Sequence, residues 1–506
     1  MKITAIETFV VSNGFTPPRP WCFCAIRTDA GLTGYSEFGS DGITRGLVGL
    51  VQDLGHRLIG KDPTSVEKHY IDLYRAVRQA PYGATQQAIA GIELALWDLA
   101  GKALEVPVYK LMGGPHRERQ WVYWSHLATY RAHNWKLLGA KPLKTLQDLA
   151  DAAREAPARG YTAFKTNIIW PGEPARAISQ GRLGPHDQVA SRDIVKQAVA
   201  QIAAMRDAVG PDVGICLDIN VNFKPSEAIR VGRALEPYDL FWLEIDNQDP
   251  HALAQLKSSV RAPICSGEQL QTIRQYRPYF ELHAMDVVKV DVQWQGFSAA
   301  KKVADLAESF ELNIAPHNYN GHLSTFQSLN LCASVSNVRI MESDPEQTPY
   351  RDELFTALPE IKDGHMTIPT APGWGTELNE KAAKKYPWTG EGSRRFRKNA
   401  TILASTSGSS ARSKPGGSFN RSPTMPESPG GMGESSAPWP PVGKSAISSH
   451  GSHAARTASL WKRGRSHLSR RAVTNPSGTR GAASELMSKS AAYGTAAAIA
   501  AMRESV

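Results

Sequence analysis

The chain has 506 residues, of which 41% are hydrophobic and 21% are charged, as is usual for a large globular protein. Its formal net charge of +10 is unevenly spread, because residues 391–506 contain 17 Lys or Arg and only 5 Asp or Glu. Residues 1–390 are close to neutral, so we expect no nucleic-acid partner for this part. The chain has no run of about 18 or more apolar residues, so we also expect no membrane span.

The start of the chain, MKITAIETFVVSNG, alternates in hydrophobicity as a strand does and lacks the apolar core of a signal peptide. The cysteines are odd in number and scattered, at Cys22, Cys24, Cys216, Cys265 and Cys332. Such a pattern is typical of reduced thiols, so we expect a cytoplasmic protein. The first two form C-x-C without a second pair at metal spacing, and a zinc site is therefore not predicted.

Residues 1–118 are predicted to form an α+β domain. The strand KITAIETFVV comes first, and the strands CFCAIRT and LTGYSEF then flank a hairpin turn at Asp29-Ala30-Gly31. From about Ala84 to Leu104 the chain reads as a helix that is apolar on most of its circumference, so it should be buried. Gly113-Gly114-Pro115 then breaks the chain before the next domain.

The next part of the chain has a regular repeat, in which a polar residue closes each apolar segment. These residues are Asp218, Glu244, Glu268, Asp291, His317 and Glu342, with successive separations of 26, 24, 23, 26 and 25 residues. A strand, a turn, a helix and another turn fill about 25 residues, so the spacing predicts βα units of a parallel barrel across 119–350. Each polar residue then lies at the C-terminal mouth, where barrel active sites are built.

Three segments depart from this repeat. The separation between Lys165 and Asp218 is twice the usual unit, and its Gly- and Pro-rich part, around Trp170–His186, is predicted to be an insertion that forms a flap over the mouth. Residues 351–390 are expected to return to the first domain. Residues 391–506 are predicted to be a disordered, basic, low-complexity tail, either a functional arm that binds nucleic acid or an extension without function.

The acidic residues at three consecutive strand ends predict a metal site. Asp218, Glu244 and Glu268 would project from strands about 4.8 Å apart. Carboxylates that close together repel one another unless a cation lies among them. Oxygen-only ligands with room for substrate favour one Mg²⁺ per site over zinc.

His317 and Asp291 end neighbouring strands of the predicted barrel. A carboxylate beside an imidazole fixes its tautomer and raises its basicity, which suits a base that removes a proton from carbon. Glu342 ends the last strand; if it is protonated or well hydrogen-bonded, it is a candidate donor to a substrate carboxylate as negative charge develops.

Further residues are candidates for substrate contact. Lys165 is either a base with a depressed pKa or a cation for the substrate carboxylate. Asn167 shares a strand face with Lys165, and Asn220 shares one with Asp218, because each pair is two residues apart. Arg19 and Arg182 are candidates in the loops: they would either bind a hydroxylated acid or only keep the loops solvated. Trp294 would either line a sugar site or only pack against loops.

The motifs LWDLAGKALEVPVYKLMGG, FKTN, CLDIN, WLE, SGEQ, VDVQWQG, IAPHNYNGH and IMES occur in order across about residues 1–386. In this the chain resembles the mandelate racemase-like branch of the enolase superfamily. The resemblance implies a capping domain over a modified (β/α)₇β barrel and a homo-oligomer, from dimer to octamer. It also implies Mg²⁺-dependent abstraction of the proton α to a carboxylate, giving an enediolate. The roles that it implies are metal ligands for Asp218, Glu244 and Glu268, a base dyad for His317 and Asp291, and an electrophilic partner for Glu342.

One departure distinguishes between the reactions of this family. Mandelate racemase has K-x-K where this chain has Lys165-x-Asn167, and the Asn amide cannot accept a proton. Acid-sugar dehydratases such as galactonate dehydratase carry K-x-N, although they use a His where this chain has Asn220. The pattern predicts a hydro-lyase that converts an aldonate or aldarate to a 2-keto-3-deoxy sugar acid. His317 would both remove the α-proton and protonate the departing β-hydroxyl. The alternative is a racemase, epimerase or cycloisomerase that uses Lys165 as second base.

Overall fold

The computed structural model describes residues 1–390 except 17, 40–41, 79, 81 and 179–187. The predicted tail and Arg182 therefore lie outside the described residues. The strands are β1 (Ile3–Val11), β2 (Trp21–Thr28), β3 (Thr33–Phe38), β4 (Arg119–Trp124), β5 (Ala163–Thr166), β6 (Ile168–Trp170), β7 (Arg176–Ile178), β8 (Gly214–Asp218), β9 (Trp242–Glu244), β10 (Ile264–Ser266), β11 (Val287–Asp291), β12 (Asn313–His317), β13 (Met341–Ser343), β14 (Ile361–Lys362) and β15 (His365–Thr367). The helices are α1 (Thr44–Gly55), α2 (Val66–Ala76), α3 (Gly83–Ala103), α4 (Val108–Leu111), α5 (Arg131–Asn134), α6 (Leu146–Ala158), α7 (Arg192–Val209), α8 (Pro225–Leu235), α9 (Pro250–Ser259), α10 (Thr272–Glu281), α11 (Val292–Gln295), α12 (Phe297–Glu308), α13 (His322–Ser334) and α14 (Glu380–Lys385).

The N-terminal part is a cap built on an antiparallel sheet with the order β1-β2-β3. The hairpin between β2 and β3 turns at Gly31, whose φ of +78° is a backbone conformation that glycine adopts without steric cost. Strand β2 is buried almost throughout, because it is the central strand and the long helix α3 packs on β2 and β3. Helix α3 itself is buried on most of its surface, which explains why its sequence is apolar nearly all round.

The barrel consists of eight parallel strands: β4, β5 and β8 to β13. Neighbouring strands follow the order β12-β11-β10-β9-β8-β5-β4, and β13 pairs with β4. A parallel bridge between Ile314 and Val338 joins β12 to the segment that leads into β13, so the sheet closes on itself. The helices α6, α7, α8, α9, α10, α12 and α13 follow the first seven strands in turn. The predicted fold class, a modified (β/α)₇β barrel with a cap, is thereby confirmed.

The strand register brings the predicted functional residues to one end of the barrel. Asp218 lies opposite Glu244, and Asp291 lies opposite His317, as directly paired residues of neighbouring parallel strands. Since all eight strands run the same way, their C-terminal residues form a single mouth. The regular spacing read from the sequence is therefore the period of this ring of strand ends.

The chain leaves the regular barrel pattern at two places. The insertion after β5 contains an antiparallel hairpin of β6 and β7, and Ala177 of this hairpin lines the cavity at the mouth. After β13 the chain forms the β14–β15 hairpin, and β15 pairs antiparallel with β4. The segment around α14 then runs beside β1, where the backbone N–H of Trp388 donates to the carbonyl of Val10 at 3.0 Å. None of the helices described, over 1–390 with its short gaps, is both long and apolar enough to cross a membrane.

Packing of the cap predicts a specific sensitivity at Gly34. A Cβ at this buried position would overlap the backbone carbonyl oxygen of Ala95 in α3, which cannot move independently of its helix. We expect Gly34→Ala to lower the free energy of unfolding by about 1–3 kcal/mol, as overpacking of a core does. The measurement is urea unfolding of the full chain, with Gly49→Ala as the matched control. Gly49 lies inside α1 with open space around its Cβ direction, so its change should be neutral or slightly stabilising. Equal midpoints for the two variants would contradict the packing described.

Candidate active site

A cavity at the barrel mouth, covered by the loop that follows β1, brings most of the predicted site residues together. Eight of them line it: Arg19, Lys165, Asn167, Asp218, Asn220, Glu268, Trp294 and His317. Three more predicted residues, Glu244, Asp291 and Glu342, are buried and bonded to these lining residues. Phe15 and Thr16 of the cap also line the cavity. The site therefore has a barrel floor and a wall from the cap.

His317 is held in one orientation by its neighbours. Its Nδ1 lies 2.6 Å from Oδ2 of Asp291, while Oδ1 of Asp291 accepts a hydrogen bond from the backbone N–H of Trp294 at 2.7 Å. The indole of Trp294 contacts the imidazole at a centroid distance of 5.2 Å. A carboxylate partner at Nδ1 favours the tautomer with its proton on Nδ1. Nε2 is then the atom left for proton transfer.

The charge state of His317 depends on the acids around it. Burial lowers the pKa of His317, but Glu268, Glu342 and the bonded Asp291 outweigh burial and raise it to about 9. Glu268 has the largest effect of these acids, and its Oε2 lies 3.3 Å from Nε2. A cation held by Glu268 would offset that effect and bring the pKa of His317 closer to the range that a base needs near neutral pH.

Buried carboxyl groups crowd the ends of β8, β9 and β10. Burial raises the pKa of Asp218, and burial together with neighbouring acids raises the pKa of Glu268 well above its usual range. Asp246, which the sequence reasoning missed, belongs to the same cluster; its pKa rises to about 6 through burial, against a hydrogen bond from the N–H of Gly267 at 3.0 Å. Several buried acids within reach of one another favour a shared cation, and their oxygen-only donor set suits a hard divalent ion.

The cation closest to the predicted metal ligands in this structure is the ammonium of Lys165. Its Nζ lies 2.5 Å from Glu244, 3.1 Å from Glu342 and 3.4 Å from Asp218. Across the part of the chain that the structure describes, no three His, Cys, Asp or Glu side chains form a group ready to hold a metal ion. The donor atoms and the negative charge of these residues thus fit a metal ion. In this structure the Lys165 ammonium supplies the positive charge between Asp218 and Glu244, two of the three predicted ligands.

Lys165 is a cation in this arrangement. Burial lowers its pKa, but Glu244 and Glu342 outweigh burial and hold the pKa well above its ordinary value. A base must lose its proton before it can act, so the surroundings favour the predicted role of Lys165 as a partner for a carboxylate over the alternative role as second base.

A second lysine, Lys289 of β11, is buried within the barrel and was not found by the sequence reasoning. Its Nζ lies 2.7 Å from Glu342 and donates to the Tyr123 hydroxyl at 2.7 Å. Burial opposes ionisation of Glu342, yet Lys165 and Lys289 hold its pKa well below the usual range. Glu342 also accepts hydrogen bonds from the Ser125 hydroxyl and the Asn318 N–H. Of the two alternatives that the sequence left open for Glu342, protonated or well hydrogen-bonded, these contacts agree with the second, and its role as an electrophilic partner for the substrate stays a prediction.

The two predicted amide contacts lie side by side at the cavity wall. The Asn167 side chain donates to the carbonyl of Asp218 at 2.9 Å, and its oxygen accepts from the Thr129 hydroxyl at 3.1 Å. Asn220 has a φ of +46° and donates its backbone N–H to the Asp218 carboxylate at 2.8 Å. Asn167 therefore also positions the backbone of Asp218 through its side chain, and Asn220 positions the carboxylate of Asp218 through its backbone.

Further polar residues of the cavity had no counterpart in the repeat read from the sequence. His126 follows β4 and lines the cavity, with its Nδ1 at 3.1 Å from the carboxylate of Asp344, which follows β13. Tyr130 and Tyr319 line the cavity around it. The available signal was the Ser-His pair directly after the apolar run WVYW, two barrel strands before the counted repeat begins.

Comparison with known proteins places these observations in a family. Residues 4–113 match the model of the mandelate racemase/muconate lactonizing enzyme N-terminal domain, and residues 148–382 match that of the enolase C-terminal domain-like family. A D-galactonate dehydratase family member from Streptomyces bingchenggensis is 28% identical over 76% of this chain and 93% of its own length. D-xylonate dehydratase from Haloferax volcanii is 28% identical, over 77% and 90%. A crystal structure of a putative L-alanine-DL-glutamate epimerase from Burkholderia xenovorans, bound to magnesium and fumarate, is 37% identical over 76% of this chain and 96% of that one, with a TM-score of 0.73.

The buried position of Lys289 predicts a large and partner-dependent stability effect. Lys289→Met should destabilise the protein by about 3–5 kcal/mol, because Glu342 then loses one of its two buried counter-charges. The measurement is a double-mutant cycle with Glu342→Gln, in which thermal unfolding gives the stability of each variant. Glu342→Gln should lower the free energy of unfolding clearly less in the Lys289→Met background than in the unchanged protein. The reason is that the Glu342 carboxylate has already lost one counter-charge in that background. Additive effects would show that the two groups are not coupled.

Proposed function

Because the chain belongs to the mandelate racemase/muconate lactonizing enzyme branch of the enolase superfamily, we propose that it is a Mg²⁺-dependent dehydratase of a sugar acid. The substrate would be an aldonate or aldarate, and the product a 2-keto-3-deoxy sugar acid. The observation that carries the proposal is that the His317–Asp291 pair faces the cavity, while the other side chain placed to act as a base, that of Asn167, is an amide. Curated relatives named as sugar acid dehydratases support the same reaction class.

The residues proposed to hold Mg²⁺ are Asp218, Glu244 and Glu268. When bound, the ion would supply positive charge next to the oxygens of the substrate carboxylate, where negative charge develops. Support comes from the buried acids at these strand ends and from the related Burkholderia structure, which holds magnesium. Lys165 would contribute its own positive charge on the same side of the cavity.

The chain's own groups would perform the proton transfers. Nε2 of His317 takes the proton from the carbon next to the carboxylate, while Asp291 keeps the Nδ1 proton in place and stabilises the imidazolium that forms. The rings of Trp294 and Tyr319 contact the imidazole at centroid distances of 5.2 and 5.0 Å, and these contacts would limit the access of water to it. The β-hydroxyl leaves as water after it takes a proton, either from the His317 imidazolium, as the sequence predicts, or from a separate acid in the cavity.

An epimerase on the same scaffold is the second candidate, and the name given to the related Burkholderia protein favours it. Inversion at carbon needs a proton acceptor on each face of the substrate. An Asn amide has no acceptor that ionises, and the Lys165 ammonium is bound to three carboxylates. Neither Lys165 nor Asn167 can therefore serve as the second acceptor, and the elimination agrees better with the groups on this strand.

The proposal is tested with the full chain, Mg²⁺ and a library of mono- and diacid sugars, with 2-keto acid measured as the semicarbazone. We expect product from one or a few substrates, loss of product with EDTA, and recovery when Mg²⁺ is restored. His317→Asn should lower kcat by about 10²- to 10⁴-fold, as loss of a general base does. His251→Asn, an exposed position on α9, serves as the control for the same chemical change. No keto acid across the library from folded, Mg²⁺-loaded protein, or full turnover by His317→Asn, would sink the proposal.

Solvent deuterium separates the two candidate reactions. In D₂O a dehydratase that uses His317 alone as base should return unreacted substrate with its configuration retained. An epimerase should return substrate that carries deuterium with inverted configuration. Proton NMR and polarimetry of the recovered acid decide between them, and inverted, labelled substrate would establish the alternative.

A further inference from the structure

The cavity contains a second histidine–aspartate pair, on the side formed by the first and last barrel strands. Nδ1 of His126 lies 3.1 Å from Oδ2 of Asp344, and the hydroxyls of Ser125 and Tyr130 approach the same nitrogen at 3.1 Å. Asp344 is buried, and its other carboxylate oxygen has no hydrogen-bond partner among the described residues. The carboxylate is therefore available to stabilise a positive charge on the imidazole.

The two pairs have the same construction. Asp291 ends β11 and His317 ends the neighbouring parallel strand β12. In the same way, Asp344 follows β13 and His126 follows its parallel neighbour β4, in which Trp124 lies opposite Ser343. The ring of Tyr319 contacts both imidazoles, at centroid distances of 5.0 Å to His317 and 5.8 Å to His126. Two carboxylate-oriented imidazoles thus meet one cavity from different strands.

The local structure fixes the ring of His126. Its backbone has a φ of +51°, a region that non-glycine residues adopt rarely and that often marks a functional position. Tyr130 stacks on the imidazole at 4.7 Å with an interplanar angle of 19°. With Nδ1 engaged on one edge of the ring, Nε2 lies on the other, and within the described part of the chain no hydrogen bond to Nε2 is found.

We propose that His126 is the general acid of the elimination and that Asp344 is its positioning residue. This inference rests on the proposed dehydratase function. Nε2 of His317 takes the α-proton, the electron pair forms the Cα–Cβ double bond, and the Cβ–O bond breaks. The departing hydroxyl takes the proton from Nε2 of His126 and leaves as water, and the enol then tautomerises to the 2-keto acid. His126 regains a proton from solvent.

The division of labour follows from where the two Nε2 atoms lie. Nε2 of His317 faces Glu268 at 3.3 Å, on the side of the proposed metal ligands, where the substrate carboxylate and α-carbon belong. His126 lies two strands further round the barrel and contacts the Tyr319 ring at 5.8 Å. Arg19 lines the same cavity, with its guanidinium 5.9 Å from that ring. A group on the carbon chain past the α-carbon would extend toward this second imidazole. The proton for the β-hydroxyl then comes from a residue other than the base.

The test compares His126→Asn with His317→Asn on the sugar acid that gives product in the screen. His317→Asn should lose both keto-acid formation and exchange of the α-proton with D₂O. His126→Asn should lose keto-acid formation by about 10²- to 10⁴-fold and keep the exchange, because only departure of the hydroxyl needs the acid. His251→Asn should leave both rates unchanged. Asp344→Asn should also slow keto-acid formation and keep the exchange, with a smaller loss of keto-acid formation than His126→Asn.

A substrate analogue with fluorine in place of the β-hydroxyl provides a second readout. Fluoride leaves without protonation, so His126→Asn should release it at a rate close to that of the unchanged protein, which also shows that the variant is folded. Keto-acid formation by His126→Asn at the wild-type rate overturns the role of His126 alone. If His126→Asn loses exchange, fluoride release and keto-acid formation to the same extent, the general-acid role of His126 is overturned in favour of a structural role. A wild-type chain that forms no keto acid from any substrate overturns the proposed function itself.

Discussion

The pairing of buried ammonium and carboxylate groups inside the barrel is the constraint on which the rest of the site depends. Lys165 and Lys289 are at most 2% exposed, and with Glu244 and Glu342 they connect β5, β9, β11 and β13. Burying either sign alone would cost several kcal/mol for each ion, so the groups have to be assembled together. Because these strands are distributed around the barrel, the network fixes the relative height and orientation of the strand ends from which Asp218, His317 and their neighbours project.

The sequence predicted the barrel well because the βα repeat is a one-dimensional signal. A polar residue at the end of each apolar run marks the strand end directly, and the register places Asp218 beside Glu244 and Asp291 beside His317. Contacts across the barrel have no such signal. Lys289 lies inside the apolar run VVKVD, where the sequence gives no sign of its function, although its ammonium and that of Lys165 hold the pKa of Glu342 down. The ion pairs around Glu342 could not be predicted for this reason. The pairing of His126 with Asp344 was not predicted because both residues lie just beyond strand ends and are 218 residues apart in the chain.

A buried carboxylate of the cap contacts the loop that follows His317. Glu37 of β3 accepts hydrogen bonds from the N–H of Gly321 at 2.7 Å and of Ser324 at 3.0 Å, at the start of α13. Burial raises the pKa of Glu37 to about 7, against these bonds and the charge of Arg351. The loop so anchored begins directly after His317. The cap, whose residues Phe15 and Arg19 line the cavity, is therefore joined to the loop that follows His317.

The contact between the ends of the described chain has a consequence for biosynthesis. The N–H of Ser12 donates to the carbonyl of Tyr386 at 3.0 Å, and Trp388 completes the same edge of β1. Translation proceeds at about 5–20 residues per second, so the ribosome needs roughly 20–75 s to make the partner of this strand. During that interval β1 presents an open edge able to pair with another nascent chain. The cap, although first to emerge, is therefore completed only when the barrel has been synthesised.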